Sequence, residues 1–328
     1  MVRSCLVALA LLSACDRATP AKTSPATTAS VAAPTPPPPA NTKCNLAEIP
    51  LRRPQPERLV AIGDIHGDLA AARAALRTAG AIDTSDKWIG GKLVLVQTGD
   101  ILDRGGDEQA IMDLFEQLEP QAKAAGGEVI ALIGNHELMN AAGDFRYVTP
   151  IGMHDFDNAP GADPSKWPSV PEEARGRFAA LAPGGPYAKW SATHDVVAIV
   201  GDTLFSHAGV TAEFVTQIDE INRSSRCWLD GLEGGPQQAP LAMTSEESPV
   251  WTRVYGGDSA DCAALGKVLA DLKIKRMVVG HTVQKAGVNA LCDGALWRID
   301  VGLAALYDGP IQVLQMFPEA KVLSGTRL

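Results

Sequence analysis

The sequence predicts an α/β fold whose central strands are buried on both faces, and three observations carry that expectation. Short, continuous apolar runs at 58–62, 92–97 and 128–133 each stop at or just before a glycine, as buried strands do when they enter a sharp turn. Tracts with helical spacing, 69–79 and 107–125, alternate with those runs. The resulting βαβαβ succession requires parallel strands joined by right-handed crossovers.

Leu59, Val60, Ala61 and Ile62 make the first strand, and Gly63 ends it. Asp68 is placed to cap an Ala- and Leu-rich helix that Gly80 closes. The tract 107–125 sets Ile111, Leu114, Phe115 and Leu118 on one helical face, with Pro120 as a kink or an interruption. The second half is richer in strands, expected at 196–200, 203–206, 276–279, 296–299 and 311–317. Between the halves, 139–190 holds many Gly and Pro residues and little periodicity. It reads as an insertion over one face, the kind of segment that shapes binding sites. No internal repeat is visible, and one folded domain is expected over 44–328.

Composition limits the partners. An apolar fraction of 46% and a charged fraction of 20% suit a globular chain with a real core. A formal charge of −9 gives no basic field to gather nucleic acid, so no nucleic-acid partner is expected. An anionic substrate would need a local focus of metal ions and arginines.

The first 43 residues are not expected to join the fold. Arg3 precedes an apolar run at 5–12 that is too short to span a bilayer. Leu12-Ser13-Ala14-Cys15 resembles the lipobox of bacterial lipoproteins, which implies a signal peptide over 1–14 and lipidation of Cys15. An ordinary secretory signal with a coincidental cysteine is the alternative. Residues 15–43 are dominated by Ala, Thr, Ser and Pro, including the run Pro36-Pro37-Pro38-Pro39, and form a disordered tether with a stiff stretch. The expected location is a bacterial cell envelope, lipid-anchored and facing the periplasm or exterior. Asp16 resembles an inner-membrane retention signal, and the choice of membrane stays open. Cys44, Cys227, Cys262 and Cys292 then remain, with three complete pairings open and no Cys-x-x-Cys pair among them.

The chemistry sits in short clusters. Gly63-Asp64-Ile65-His66-Gly67, Gly99-Asp100-Ile101-Leu102-Asp103-Arg104-Gly105 and Gly134-Asn135-His136-Glu137 each follow a predicted strand. His207 in Ser206-His207-Ala208-Gly209 and His281 in Gly280-His281-Thr282 follow later ones. In α/β sheets that edge is where loops converge on ligands. One Asp-x-His pair is ordinarily a turn with a capping residue, and one such histidine a core residue. The whole ordered set offers carboxylate oxygen, imidazole nitrogen and amide oxygen, the donors that suit Mn, Fe or Zn.

Together these clusters resemble the motifs of the calcineurin-like metallophosphoesterase superfamily, and most of all its phosphoprotein phosphatase branch. That branch carries Gly-Asp-x-His-Gly, Gly-Asp-x-x-Asp-Arg-Gly and Gly-Asn-His-Glu, all present without substitution. The run His136-Glu137-Leu138-Met139-Asn140 into Gly143-Asp144-Phe145-Arg146-Tyr147-Val148 is similar to the Shewanella-like protein phosphatases. So are Pro249-Val250-Trp251-Thr252-Arg253 and Arg298-Ile299-Asp300-Val301-Gly302. The resemblance spans roughly 59–309. It implies a four-layer arrangement, a central mixed β-sandwich flanked by helices.

It also implies roles. Asp64 and His66 would hold one of two divalent metal ions, Asp100 would bridge both, and Asn135, His207 and His281 would complete the second. Arg104 would clamp the phosphate, with Arg253 as a second clamp matched by region rather than by strict motif. His136 would be the general acid, oriented by Asp103, and Glu137 would fix its loop. His154 and His194 carry no motif and are read as structural or surface residues. The implied activity is phosphomonoester hydrolysis by metal-bound hydroxide, on phosphotyrosine and/or phosphoserine and phosphothreonine proteins or a small phosphomonoester. The choice among these substrates is expected to lie in 139–190. Hydrolysis of diadenosine tetraphosphate or another phosphodiester or phosphoanhydride is the alternative within the superfamily. A non-catalytic envelope module that binds metal is the alternative outside it.

Overall fold

The computed structural model describes residues 44–231 and 239–327; the predicted signal peptide, Cys15 and the tether lie outside them. In chain order the strands are β1 (Arg52–Arg53), β2 (Leu59–Ile62), β3 (Val94–Gln97), β4 (Glu128–Ala131), β5 (Val197–Val200) and β6 (Thr203–Ser206). They continue with β7 (Arg276–Val279), β8 (Asn289–Leu291), β9 (Leu296–Arg298), β10 (Gln312–Phe317) and β11 (Lys321–Ser324). Two mixed sheets result, one ordered β11-β10-β2-β3-β4 and the other β1-β5-β6-β7-β9-β8. β2, β3 and β4 are parallel, with Val60 opposite Leu95 and Val96 opposite Ile130, as the βαβαβ pattern requires. β10 adds antiparallel to β2.

Side-chain alternation explains why two sheets stack rather than one. Leu59 and Ala61 of β2 point into a layer shared with Val96, Ala198, Phe205, Val278 and Leu314, which come from both sheets. Val60 and Ile62, half a pleat away, pack instead on α1 (Leu69–Thr78) and α2 (Glu108–Ala124) through Ala71, Leu76, Ile111 and Phe115. The far face of the second sheet presents Val197, Leu204, Met277 and Val279 to later helices. The order is helix, sheet, sheet, helix, the expected four-layer sandwich.

Asp68 accepts from the Ala71 N–H at 2.8 Å and so caps α1, and α2 runs through Pro120 without interruption. The tract 139–190 is more ordered than its sequence suggests. After α3 (Asn135–Ala141) it contains α4 (Glu172–Leu181) and α5 (Pro186–Ser191). α4 is buried nearly all round, so it carries no apolar stripe for a periodicity argument to find. Phe178 of α4 joins Val170, Ala174, Phe145 and Trp167 in a small satellite core. α6 (Ile218–Leu229) and α7 (Cys262–Leu272) complete the helices outside the second sheet.

Of the three pairings left open, the structure has Cys44–Cys227 and Cys262–Cys292. The first closes a loop of 183 residues and ties the segment before β1 to α6. A Cys44→Ser, Cys227→Ser double variant is expected to lose about 2–5 kcal/mol in reversible denaturant unfolding. An unchanged unfolding midpoint would show that the staple adds nothing.

Candidate metal centre

The site is built where parallel strands of both sheets end. β2, β3 and β4 deliver the three motif loops, while β6 and β7 deliver His207 and His281. The loops are stitched to one another by backbone. Ile65 and His66 N–H both donate to Asp100 O at 3.0 Å, and Gly67 N–H donates to Ile101 O. The Glu137 carboxylate accepts from the backbone N–H groups of Asp100, Ile101, Leu102 and Gly134, so it locks the third loop to the second. This bonding holds an unusual backbone: His66, Asp100, Asp103, Arg104 and His281 all have positive φ, between 51° and 68°. Such left-handed geometry in residues with side chains persists only where the surroundings dictate it, and it clusters at functional sites.

Gly134 shows how tight the assembly is. Its φ of −97° suits any residue, but a Cβ there would lie 2.2 Å from Asp100 Oδ1 and 2.6 Å from Asp100 N. Gly134→Ala is therefore expected to displace Asp100 and cut metal content and activity together, read by elemental analysis beside turnover. A fully metallated, active variant would show that the loop has slack.

The imidazoles share one arrangement. His66 Nδ1 meets Leu102 O at 2.9 Å, His207 Nδ1 meets Thr98 O at 3.0 Å, and His281 Nε2 meets Trp251 O at 3.1 Å. A carbonyl only accepts, so each of these nitrogens carries its proton, and the opposite nitrogen is left with a lone pair. Those free nitrogens converge on Asp100. His207 Nε2 is 3.2 Å from Asp100 Oδ2, 2.9 Å from Asn135 Oδ1 and 3.0 Å from His281 Nδ1, and His66 Nε2 is 3.8 Å from Asp100 Oδ2. Two acceptor nitrogens 3.0 Å apart beside an amide oxygen and a carboxylate fit a cation between them. Burial lowers the pKa of His66 to about 4 and that of His281 to about 2, so both are neutral donors.

Donor atoms gather in two groups, His66–Asp100–His136 and Asp100–His207–His281, each within 4.8 Å, and Asp100 belongs to both. Asp64 belongs to neither. Its carboxylate accepts from the His281 N–H at 3.0 Å, and a Cβ on Gly280 would lie 2.2 Å from its Oδ1. Burial, with Asp300 and Asp100 nearby, raises its pKa well above the carboxylate range. Burial also pushes Asp300 up to about 6. Burial works the same way on Asp100, but the nearby imidazoles of His207 and His136 outweigh it and hold that carboxyl well below its usual value. Asp100 is thus the carboxylate on which both donor groups centre, and Asp64 lies beside it.

His136 differs from the other three. Its Nδ1 meets a carboxylate, Asp103 Oδ2, at 2.5 Å, and Nε2 faces the cavity 3.7 Å from Asp100 Oδ2. Burial opposes its protonation, but the charges of Asp100 and Asp103 prevail and raise its pKa. Asp103 is itself held by Asn140 Nδ2 at 2.9 Å and Arg177 Nη2 at 3.1 Å. Arg177, wholly buried on α4, also reaches Glu108 Oε2 at 2.6 Å, Asn140 Oδ1 at 2.8 Å and Gly152 O at 2.8 Å. Nothing in the sequence around Arg177 marks it. It lies in a tract without periodicity, and its partners are up to 74 residues away.

Arg104 stands beside this pair, its guanidinium 4.5 Å from the Tyr147 ring and 5.7 Å from that of Tyr307. Its Nε is buried and lacks a hydrogen-bond partner among the described residues, an open donor that an anion would satisfy. Arg253 lies on the opposite rim, donating to Thr282 Oγ1 at 3.2 Å. A cavity of about 170 Å³ joins them, lined also by Asp100, Asn135, His136, His281 and Asp300. His154 pairs with Asp157 on the surface, and His194 pairs with Glu119 and packs on Trp190. Neither enters the site. Tyr147, Tyr307, Asp300 and Arg177 were not foreseen as site residues.

A β-sandwich whose strand ends carry these carboxylate, amide and imidazole donors around one shared aspartate defines a metallophosphoesterase-type centre. The chain belongs to the calcineurin-like phosphoesterase family, whose pattern it matches over residues 57–285. It is 42% identical over 296 residues to Shewanella-like protein phosphatase 2 of Arabidopsis thaliana, covering 80% of this chain and 75% of that protein. To Shewanella-like protein phosphatase 1 of Plasmodium berghei it is 27% identical, covering 75% and 67%. A solved structure of a cold-active protein tyrosine phosphatase superposes with a TM-score of 0.67 at 26% identity, over 82% of this chain and 76% of that one.

Proposed function

We propose that this chain is a metal-dependent phosphoprotein phosphatase, with one domain over 44–328 acting on phosphomonoesters. The observation that carries the reading is the pair of donor groups sharing Asp100, set beside the open Nε of Arg104 and the His136–Asp103 pair in one cavity. Asp64, His66 and Asp100 would hold one ion, and Asp100, Asn135, His207 and His281 the other, as Mn, Fe or Zn. When bound, such a pair makes a water nucleophilic near neutral pH and offsets the charge of the phosphoryl group.

The protein's own groups do the rest. Arg104 and Arg253 bind the non-bridging oxygens, Arg104 as a planar fork stacked on Tyr147. His136 Nε2 gives its proton to the leaving oxygen while Nδ1 stays bonded to Asp103. Arg177 and Asn140 keep Asp103 from turning away.

The names of the Arabidopsis relative and of the superposed tyrosine phosphatase support phosphoproteins, with phosphotyrosine first among the side chains to try. Residues 1–43 supply the signal, the lipidated Cys15 and the tether that would anchor the enzyme in a bacterial envelope. The test is elemental analysis of the purified chain beside Mn-supported turnover of phosphotyrosyl, phosphoseryl and phosphothreonyl peptides. Bound divalent metal and hydrolysis of at least one peptide class are expected. Metallated protein that hydrolyses no monoester would end the reading.

A further inference from the structure

Beside the phosphate cavity lies a second, larger cleft of about 630 Å³, and the two share His66 and Arg104. Their chemistry differs sharply. The first is lined by metal-type donors and arginines, whereas the second is lined mainly by Pro150, Ile151, Ala304, Ala305, Leu306 and glycines, with Asp68, Asp107 and Thr149 as its further polar side chains. Ile151 is 76% exposed and Leu306 62%, the two most exposed large apolar side chains among the described residues. Scattered surface apolar residues need no explanation, but two facing one groove next to a binding cavity do.

Both walls are held in place. Thr149 Oγ1 donates to Gly105 O at 2.5 Å and accepts from Gly152 N–H at 2.9 Å, while Arg104 N–H donates to Tyr147 O, so the Ile151 turn is tied to the Arg104 loop. A Cβ on Gly106 would meet Ile151 Cγ2 at 2.7 Å, so the Ile151 side chain rests directly on this loop. On the other side, Ala305 N–H donates to Asp68 Oδ2 at 2.8 Å, and Arg327 bonds both Asp68 and Leu303 O. The groove is preformed rather than an accident of a loose loop.

We propose that this groove seats a large apolar side chain of the substrate protein, close in sequence to the phosphorylated residue. The inference rests on the phosphatase reading above. A phosphoryl group clamped by Arg104 brings its own chain across the shared wall, and an extended chain advances about 3.3 Å per residue, so neighbours within about three positions reach the groove. Leucine, isoleucine and methionine fit its apolar walls, and acidic or small polar residues do not.

The experiment uses the metallated chain and phosphotyrosyl peptides bearing leucine or serine at each of the three positions on either side of the phosphoresidue. Matched peptides carrying a non-hydrolysable phosphonate in place of the phosphate are read by fluorescence anisotropy. At one position leucine is expected to raise kcat/KM and tighten Kd about tenfold over serine. That preference is expected to vanish in Ile151→Asp and Leu306→Asp, while p-nitrophenyl phosphate, too short to reach the groove, is turned over as before. No leucine preference at any position, in rate or in Kd, overturns the proposal. So does a concentration-dependent dimer that Leu306→Asp dissolves, since a second copy would then fill the groove. If no monoester is hydrolysed, the phosphatase reading fails, and the phosphonate binding series still decides whether an apolar neighbour is recognised.

Discussion

Asp100→Asn is expected to strip the chain of both ions and reduce turnover by roughly three orders of magnitude or more, the scale set by losing several kcal/mol of charge stabilisation. The substitution keeps the shape and one acceptor oxygen, so the bond from the His136 N–H to Asp100 Oδ1 can survive. Its backbone is fixed independently by Glu137, and the loop does not depend on the charge. What disappears is the single negative charge at which His207, His66 and His136 converge from three directions. The imidazoles would then face a dication without the carboxylate that both donor groups share. The check is metal content after dialysis, together with far-UV circular dichroism to show that the fold persists. Two tightly held ions in this variant would refute a bridging role for Asp100.

The bridging role of Asp100 is an implication of the family resemblance, whereas the position of each ligand candidate at a sheet edge was legible because each follows a strand that announces itself locally. A run of four apolar residues and a glycine fix where β2, β3 and β4 stop, and the polar residues just beyond them have nowhere to go but the sheet edge. β1, β8 and β11 left no such trace. All three are edge strands, short and partly exposed, and a strand such as Lys321–Ser324 with one half-buried residue has no alternation to read. α4 escaped for the opposite reason, being buried on most of its sides. Arg177 was hidden because a lone arginine in a helix gains meaning only through distant partners, and Asp300, though part of a family-like run, carries no role that the run itself spells out. Arg177 bonds Glu108 of α2, Asn140 of α3, Asp103 and the backbone of Gly152, a set no spacing rule encodes.

Arg177 also changes what His136 can be expected to do. A histidine beside a metal ligand could be a third donor to the same ion, and its place in the His66–Asp100 group allows that geometry. The bonding argues for proton transfer instead. His66, His207 and His281 each turn the nitrogen away from the donor cluster to a neutral carbonyl, whereas His136 turns that nitrogen to a carboxylate, and that carboxylate is pinned by a buried guanidinium and an amide. An ion pair this deeply buried is costly to assemble, and its retention here keeps Asp103 pointed at one imidazole. His136→Ala is therefore expected to leave metal content unchanged and lower kcat by about 10²–10⁴-fold for alkyl phosphates. For p-nitrophenyl phosphate, whose leaving oxygen needs little help from an acid, the loss should be much smaller. An equal loss for both substrates with metal retained would remove the general-acid role, and parallel loss of metal would make His136 a ligand.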